Sequence, residues 1–207
     1  MRIAILGTGR MASGLGKGWL KAGHFVAFGS RRPETKNDFH ADVGLDSRVF
    51  GIEGAITAGE VVVITVPYAE IHPLAQQHAV LLRGKIVIDI TNPFRAQPAD
   101  ERAGAELTAE AIGDDARVVA AFKANFSNTI LDPVDHTGQS REVFFAGEDE
   151  PSKQVVAGLI TDLGFKPVDC GPLRAATMLD LSVPVLIEMD TRLNGGRRTS
   201  SFRFSHE

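Results

Sequence analysis

The chain has 207 residues, of which 43% are hydrophobic and 23% charged, and its formal net charge is −4. These values are those of an ordinary globular protein with room for one large domain, or for one domain with a small appendage. They exclude a strongly basic nucleic-acid surface, and no apolar run is long enough to cross a membrane. The single cysteine, Cys170, excludes an internal disulfide. We therefore expect a cytoplasmic protein with a reduced thiol.

The first predicted element is a strand over 2–6 that runs directly into a glycine-rich turn. Gly7 allows the tight turn, Gly9 lets a pyrophosphate approach the backbone, and Ala12 lets the next helix pack closely on the strand. A helix predicted over 11–22 would direct its unpaired N–H groups at the phosphates. This arrangement predicts a dinucleotide site.

The second predicted strand, 24–29, ends in three residues that indicate which dinucleotide binds. An NAD site carries an acidic residue here for the ribose 2′-hydroxyl, but no acid occurs between 24 and 33. Instead the chain has Ser30, Arg31 and Arg32. Arginine pairs with a phosphate through two hydrogen bonds, Ser30 can donate a third, and Arg31 could also stack on the adenine. The pattern predicts NADP rather than NAD.

Strand-like and helix-like segments alternate along the rest of the chain. This alternation predicts an α/β fold of the Rossmann type, with a doubly wound, mostly parallel sheet and helices on both faces. The continuous apolar runs at 61–66 and 85–90 suit central strands that are buried on both faces. The other predicted strands are 48–50, 117–122, 142–146 and 166–169. The other predicted helices are 71–82, 151–163 and 174–193, and segment 98–113 is either a helix or a mobile excursion.

We divide the chain after Gly171, into an NADP-binding domain over 1–171 and a C-terminal helix and tail over 172–207. Pro184 should kink the long apolar helix. This helix and the alternating Phe202–Phe204 tail carry more apolar surface than a small domain needs, so they should pack on the body or on a second subunit. We therefore predict a homodimer, in which the tail adds an edge strand or crosses to the partner.

The motifs, taken in order, resemble those of a known family. They are Gly-Thr-Gly-x-Met near the start, Ser-Arg-Arg after the second strand, Thr-Val-Pro after the fourth, Thr-Asn-Pro after the fifth, and Gly-Pro-Leu-Arg at 171–174. Over nearly its whole length the chain resembles the NADP-dependent oxidoreductases that use the deazaflavin coenzyme F420. The same domain type occurs in the cytosolic part of transmembrane ferric reductases and, more distantly, in pyrroline-carboxylate reductases.

The resemblance implies hydride transfer between NADP(H) and a planar acceptor, such as F420 or a flavin, whose ring stacks on the nicotinamide. Such a transfer needs positioning more than a protein acid or base. The cofactor-binding residues that follow from the glycine turn and from the resemblance are Gly7, Thr8, Gly9, Arg10 and Met11 at the pyrophosphate, Ser30, Arg31 and Arg32 at the 2′-phosphate, Thr65, Val66 and Pro67 over the ribose, and Asn92 and Pro93 near the nicotinamide.

Two side chains are candidates for a direct catalytic role. Lys123 could neutralise charge on a ring or a phosphate, or it could be a solvated surface lysine. His72 could reach the cleft, or it could be a histidine without a role at a helix start. The chain departs here from the family's Lys-Ala-Phe-Asn run: an ungapped match places Lys123 at the asparagine, whereas a small shift keeps Lys123 and Asn125 as equivalents.

Two other functions fit the same motifs. One is a non-catalytic NADP-binding sensor, and the other is an imine or carbonyl reductase of the pyrroline-carboxylate reductase type. A metal site is not expected, because the six histidines show no spacing typical of metal ligands.

Overall fold

A computed structural model describes residues 1–36, 39, 42–44, 48–93 and 102–205. The chain forms an eight-stranded sheet in the order β3-β2-β1-β4-β5-β6-β7-β8. The strands are β1 (Arg2–Leu6), β2 (Phe25–Gly29), β3 (Arg48–Phe50), β4 (Val61–Ile64), β5 (Ile86–Asp89), β6 (Arg117–Ala120), β7 (Glu142–Gly147) and β8 (Lys166–Asp169). Every strand predicted from the sequence is present, although several end one or two residues earlier than expected.

The first six strands are all parallel, which confirms the predicted Rossmann-type α/β sheet. β7 then pairs antiparallel with β6, and β8 pairs parallel with β7. A parallel neighbour would need a crossover connection, usually through a helix. Between β6 and β7 the described chain forms only a 3₁₀ turn, Ser127–Thr129, and an isolated bridge between Val134 and Ser140. This connection, residues 121–141, contains no α-helix in the described chain and returns the chain in the opposite direction.

The helices cover both faces of the sheet. They are α1 (Arg10–Lys21), α2 (Ile52–Ala58), α3 (Tyr68–Gln77), α4 (Ala79–Leu82), α5 (Gly104–Ile112), α6 (Glu150–Asp162) and α7 (Ala176–Leu193). The helix predicted over 71–82 is two helices, because the backbone leaves the helical region at His78 (φ −110°, ψ 17°). Segment 98–113 is helical over Gly104–Ile112, and its part 98–101 lies outside the described residues.

Two hydrophobic clusters form the core, one on each side of the sheet. Because successive side chains of a strand point to opposite faces, Ile3 and Ile5 join one cluster while Ala4 and Leu6 join the other. The first cluster is covered by α1 and α6, and the second by α2 to α5. All four side chains of β4 are buried, as expected for a central strand covered on both faces.

The C-terminal segment packs on the body of the fold. α7 continues through Pro184 and buries Leu179, Val183 and Leu186. The prediction that the tail adds an edge strand is wrong, because residues 199–205 form no strand. Instead, the Phe204 N–H donates to the buried Glu142 carboxylate at 2.5 Å, and Phe202 packs beside α7. No helix in the described part of the chain is long and apolar enough to cross a membrane.

Candidate active site

A cleft of about 660 Å³ opens at the carboxyl ends of β1, β4, β5 and β6. It lies where the strand order reverses between β1 and β4, which is the position at which open parallel sheets bind their ligands. The lining residues come from the ends of these strands and the loops after them: Met11, Thr65, Val66, Pro67, Tyr68, Ala69, Ile90, Thr91, Asn92, Pro93, Phe122, Asn125, Phe126 and Ser127. The sequence analysis placed six of these residues in the cofactor site.

The glycine turn between β1 and α1 has the geometry that a bound pyrophosphate needs. Gly7 has φ +130°, and a Cβ there would collide with Thr65 Oγ1, which donates to the Leu6 carbonyl at 2.9 Å. Around Gly9 the Cβ position is open, with no atom of the described residues beyond its chain neighbours within 4 Å. Among the described residues no side chain caps α1, so its first N–H groups are free to bind phosphate oxygens.

A second cavity, of about 490 Å³, adjoins this turn and is basic. It is lined by Gly7, Thr8, Ser30, Arg31, Arg32 and Lys36, and no carboxylate occurs among these described residues. The buried Ser30 hydroxyl accepts a hydrogen bond from the Arg32 N–H at 3.1 Å, which holds the turn in place. Arg31 is 81% exposed and lies 3.3 Å from the Glu70 carboxylate. Three cations around one cavity suit a 2′-phosphate.

Lys36 was missed by the sequence analysis. The 3₁₀ turn Pro33–Thr35 folds the chain back after Arg32, and this brings Lys36 to the cavity. The signal available in the sequence was a third cation shortly after Arg31 and Arg32, with a proline between them to turn the chain.

A third cavity, of about 380 Å³, lies beside the first turn of α1 and includes Thr8, Gly9 and Arg10. Lys17 Nζ lies 2.6 Å from the Asp42 carboxylate on its wall. The hydrogen bonds from Lys17 and Ser13 lower the pKa of Asp42, so this carboxyl is ionised at neutral pH. Because Asp42 already neutralises Lys17, Arg10 is the cation placed to meet a phosphate at this end.

The wall of the main cleft is largely apolar and contains one strained residue. Phe122 has φ +56°, a left-handed conformation that costs a bulky residue about 1–2 kcal/mol. Edge-to-face contacts with Trp19 and Phe165, at 6.2 and 6.4 Å between ring centroids, hold its ring. Together with Met11 and Pro93, these apolar side chains would exclude water from a transferred hydride.

Two asparagines supply polar groups to this wall. Asn92 Nδ2 donates to the Lys123 carbonyl at 3.1 Å, and Asn125 Nδ2 donates to the Glu142 carbonyl at 3.0 Å. The Asn92 Oδ1 atom is buried and has no hydrogen-bond partner in the described part of the chain. An unsatisfied buried acceptor is costly, and a ligand with an amide N–H₂ group would satisfy it.

The two catalytic candidates lie outside the cleft lining. The interpretation of Lys123 as a solvated surface lysine is wrong, because its side chain is fully buried. Lys123 Nζ lies 2.8 Å from Asp180 Oδ1 and donates to the Thr91 carbonyl at 2.5 Å, so it supports the cleft from behind. His72 is exposed on α3.

The sheet order and the glycine turn define the Rossmann class of dinucleotide-binding folds. Residues 2–93, which contain β1 to β5 and four of the five sequence motifs, match the family described as NADP oxidoreductase, coenzyme F420-dependent. The family resemblance noted from the sequence is therefore confirmed.

Individual relatives extend the similarity to the whole chain. The chain is 27% identical to the F420-dependent NADP reductase of Methanocaldococcus jannaschii, and the match covers 93% of each protein. It is 28% identical to the metalloreductase STEAP3 of Rattus norvegicus over 84% of its own length and 35% of that protein. A crystal structure from Arthrobacter sp. FB24, described as a candidate F420-dependent NADP reductase, has a TM-score of 0.88 at 25% identity and covers 99% of both chains.

Proposed function

We propose that this protein is an NADP(H)-dependent oxidoreductase that transfers a hydride between NADP(H) and a planar acceptor, either coenzyme F420 or a flavin. The observation that carries the proposal is the apolar cleft at the switch point of the sheet, directly beside a glycine turn and a basic cavity. The family match and the F420-dependent relatives favour F420 as the acceptor.

The residues around the cleft and the two cavities beside it bind different parts of the cofactor. The first N–H groups of α1 and Arg10 bind the pyrophosphate, and Ser30, Arg31, Arg32 and Lys36 bind the 2′-phosphate. Gly7, Thr8, Gly9 and Met11 shape the turn beneath the cofactor, Thr65, Val66 and Pro67 cover its ribose, and Asn92 and Pro93 contact the nicotinamide. The nucleotide part, 1–171, binds NADP, and 172–207 packs against it.

The chemistry of the transfer belongs to the two bound rings. Bound NADPH would supply the hydride, and the reduction of the acceptor would be completed by one proton from the solution. The protein holds the two rings in contact through Pro67, Pro93 and Phe122, and it excludes water. Asn92 Oδ1 accepts a hydrogen bond from the nicotinamide amide and thereby fixes which ring face is presented.

We also propose that the protein is a cytoplasmic homodimer. Five exposed apolar residues on α7 recur at intervals of three and four and form one continuous stripe: Met178, Leu181, Val185, Met189 and Leu193. This outer stripe faces away from the buried side of the helix, where Leu179, Val183 and Leu186 lie. An exposed apolar stripe of this length is typical of a protein interface.

The test is NADPH oxidation by the purified protein, followed at 340 nm, against F420, FMN, FAD, ferric chelates and imines. We expect rapid oxidation with F420 and slower or no oxidation with the other acceptors. In the variant Asn92→Trp the added ring fills the cleft, so turnover should be lost. Binding of 2′,5′-ADP, which occupies only the adenosine end, should be unchanged.

Three results would contradict the proposal or a part of it. Tight NADPH binding without reduction of any acceptor would identify a sensor, and turnover with imines alone would identify a reductase of the pyrroline-carboxylate type. Unchanged turnover in Asn92→Trp would show that the acceptor docks outside this cleft.

A further inference from the structure

A buried cluster of three charged side chains lies directly behind the wall of the cleft. Lys123, three residues after β6, lies 2.8 Å from Asp180 of α7 and 3.9 Å from Asp89 at the end of β5. The side chains of all three are at most 3% exposed. Burial of charges is costly unless each is paired and hydrogen-bonded, so the geometry of such a cluster is tightly constrained.

The cluster is hydrogen-bonded to the segment after β5 that lines the cleft. Lys123 Nζ donates to the Thr91 carbonyl at 2.5 Å, and Asp89 Oδ1 accepts from both the Thr91 N–H and its hydroxyl at 2.8 Å. The next residue, Asn92, donates back to the Lys123 carbonyl. The turn after β5 is therefore held by hydrogen bonds to the N–H, hydroxyl and carbonyl groups of Thr91 and by the side-chain amide of Asn92.

The other end of the cluster is attached to the C-terminal helix. Asp180 is buried on the inner side of α7, and its Oδ2 accepts from the Gly104 N–H at the start of α5 at 3.0 Å. Tyr68, which lines the cleft, packs on Gly104 at the position where a Cβ would be. Through the Asp180 carboxylate, α7 is thus connected to two sides of the cleft: to Thr91 by way of Lys123, and to Tyr68 by way of Gly104.

We infer that Lys123 and Asp180 are positioning residues, which hold Thr91, Asn92 and Pro93 in the arrangement needed for hydride transfer and make that arrangement depend on the seating of α7. This inference rests on the proposed function, because it concerns the nicotinamide end of the same site. Neither side chain lines the cleft, so both act through the turn that they hold. The adenosine end, at Ser30 and Arg31, shares no contact with the cluster among the described residues.

The structure supplies a matched control on the same helix. Asp190 is also a fully buried carboxylate of α7, and it accepts from the Arg198 N–H at 2.9 Å and from the Ser200 hydroxyl at 2.8 Å. It fixes the last turn of α7 and the tail, where Arg198 lies over the ring of Phe126, and among the described residues no hydrogen bond links this end of the helix to Thr91 or Asn92. Asp180→Asn and Asp190→Asn therefore each replace one buried carboxylate of α7, the first near its start and the second near its end.

The experiment compares these two variants with the unaltered protein well below their unfolding temperatures. Three quantities are measured: the affinity for 2′,5′-ADP, the fluorescence of bound NADPH, and the rate of hydride transfer to the acceptor. In Asp180→Asn we expect a 2′,5′-ADP affinity within twofold of the unaltered protein, a changed NADPH emission, and hydride transfer slowed by about 10- to 100-fold. In Asp190→Asn we expect a lower unfolding temperature, with emission and hydride transfer unchanged.

A second variant tests the inference if Asp180→Asn does not fold. The double variant Lys123→Met with Asp180→Leu removes the pair without leaving either charge unpaired, and it should show the same loss of hydride transfer and the same change in NADPH emission. Unchanged emission and transfer in a folded variant, or equal losses in Asp190→Asn, would overturn the inference. Because NADPH emission needs no acceptor, these results are distinct from failure of the unaltered protein to reduce any acceptor, which would contradict the proposed function instead.

Discussion

Replacing Arg31 by alanine tests whether the basic cavity recognises the 2′-phosphate. A hydrogen bond to a charged group contributes about 1.5–3 kcal/mol, so the whole cavity should favour NADP over NAD by about 10- to 100-fold. Arg31 is 81% exposed and therefore well solvated, which reduces its own share to about 1 kcal/mol. We expect Arg31→Ala to weaken NADP binding about fivefold and to leave NAD binding nearly unchanged.

The assay is titration calorimetry with NADP and NAD in parallel. Arg10→Ala is the matched control, because this arginine lies at the pyrophosphate end and should weaken both dinucleotides equally. Lys36→Ala should behave like Arg31→Ala. In 0.5 M salt the preference for NADP should shrink, since exposed charges are screened beyond a few ångströms.

An equal loss of NADP and NAD affinity in Arg31→Ala would refute this reasoning. It would show that the Arg31 guanidinium stacks on the adenine, which both dinucleotides carry. The partner carboxylate gives an independent check: Glu70→Gln removes a negative charge 3.3 Å from Arg31, so NADP affinity should rise slightly and NAD affinity should not.

Three further predictions concern the turn, acid stability and assembly. In denaturant titrations, Gly7→Ala should lower the free energy of unfolding by about 1–3 kcal/mol, and it should abolish dinucleotide binding. The control is Gly138→Ala: Gly138 has φ +82° and no described atom near its Cβ position, so this variant should show only the cost of backbone strain. Burial would raise the pKa of Asp190, but its hydrogen bonds outweigh burial and hold the pKa below the ordinary value. The ionised Asp190 carboxylate therefore stabilises the fold above about pH 4, and this stabilisation is lost as pH falls. The free energy of unfolding of Asp190→Asn should accordingly decrease less steeply with falling pH than that of the unaltered protein, by up to about 1.4 kcal/mol per pH unit. Light scattering at micromolar concentration should show a dimer that Leu181→Asp converts to a monomer, and a monomeric unaltered protein would contradict the interface.

Local patterns in the sequence predicted most of the fold and the adenosine half of the site. The turn from β1 to α1 and the basic turn after β2 each lie within a few consecutive residues, so the spacing of Gly7, Gly9 and Arg31 was sufficient. The direction of β7 was not predicted, since alternation of side chains is the same in parallel and antiparallel strands. The absence of a helical pattern between 121 and 141 was the available signal, because a parallel crossover needs one.

The support behind the nicotinamide half could not be predicted in the same way. Lys123 and Asp180 are 57 positions apart and meet only because α7 packs on α5 and β7, beside the segment that follows β6, so neither residue carries a local signal of its partner. A lone lysine is most often exposed, and this general tendency led to the wrong interpretation of Lys123. Sequence patterns identify the groups that touch a cofactor through a short motif, whereas the residues that position those groups depend on tertiary contacts.

The position of the strained residue connects these two halves of the site. Phe122 immediately precedes Lys123, and its left-handed backbone turns the chain so that the phenyl ring lines the cleft while the lysine side chain passes behind it. In keeping with the alternation of a strand, Phe122 belongs to the hydrophobic cluster on one face of the sheet, whereas Lys123 reaches Asp180 and the start of α5 on the other face. The unfavourable backbone conformation is offset by the contacts of Phe122 with Trp19 and by the buried ion pair. The strained backbone thus lies at Phe122, whose ring forms part of the apolar surface of the cleft. The next residue, Lys123, supplies the buried charge that supports this surface from behind.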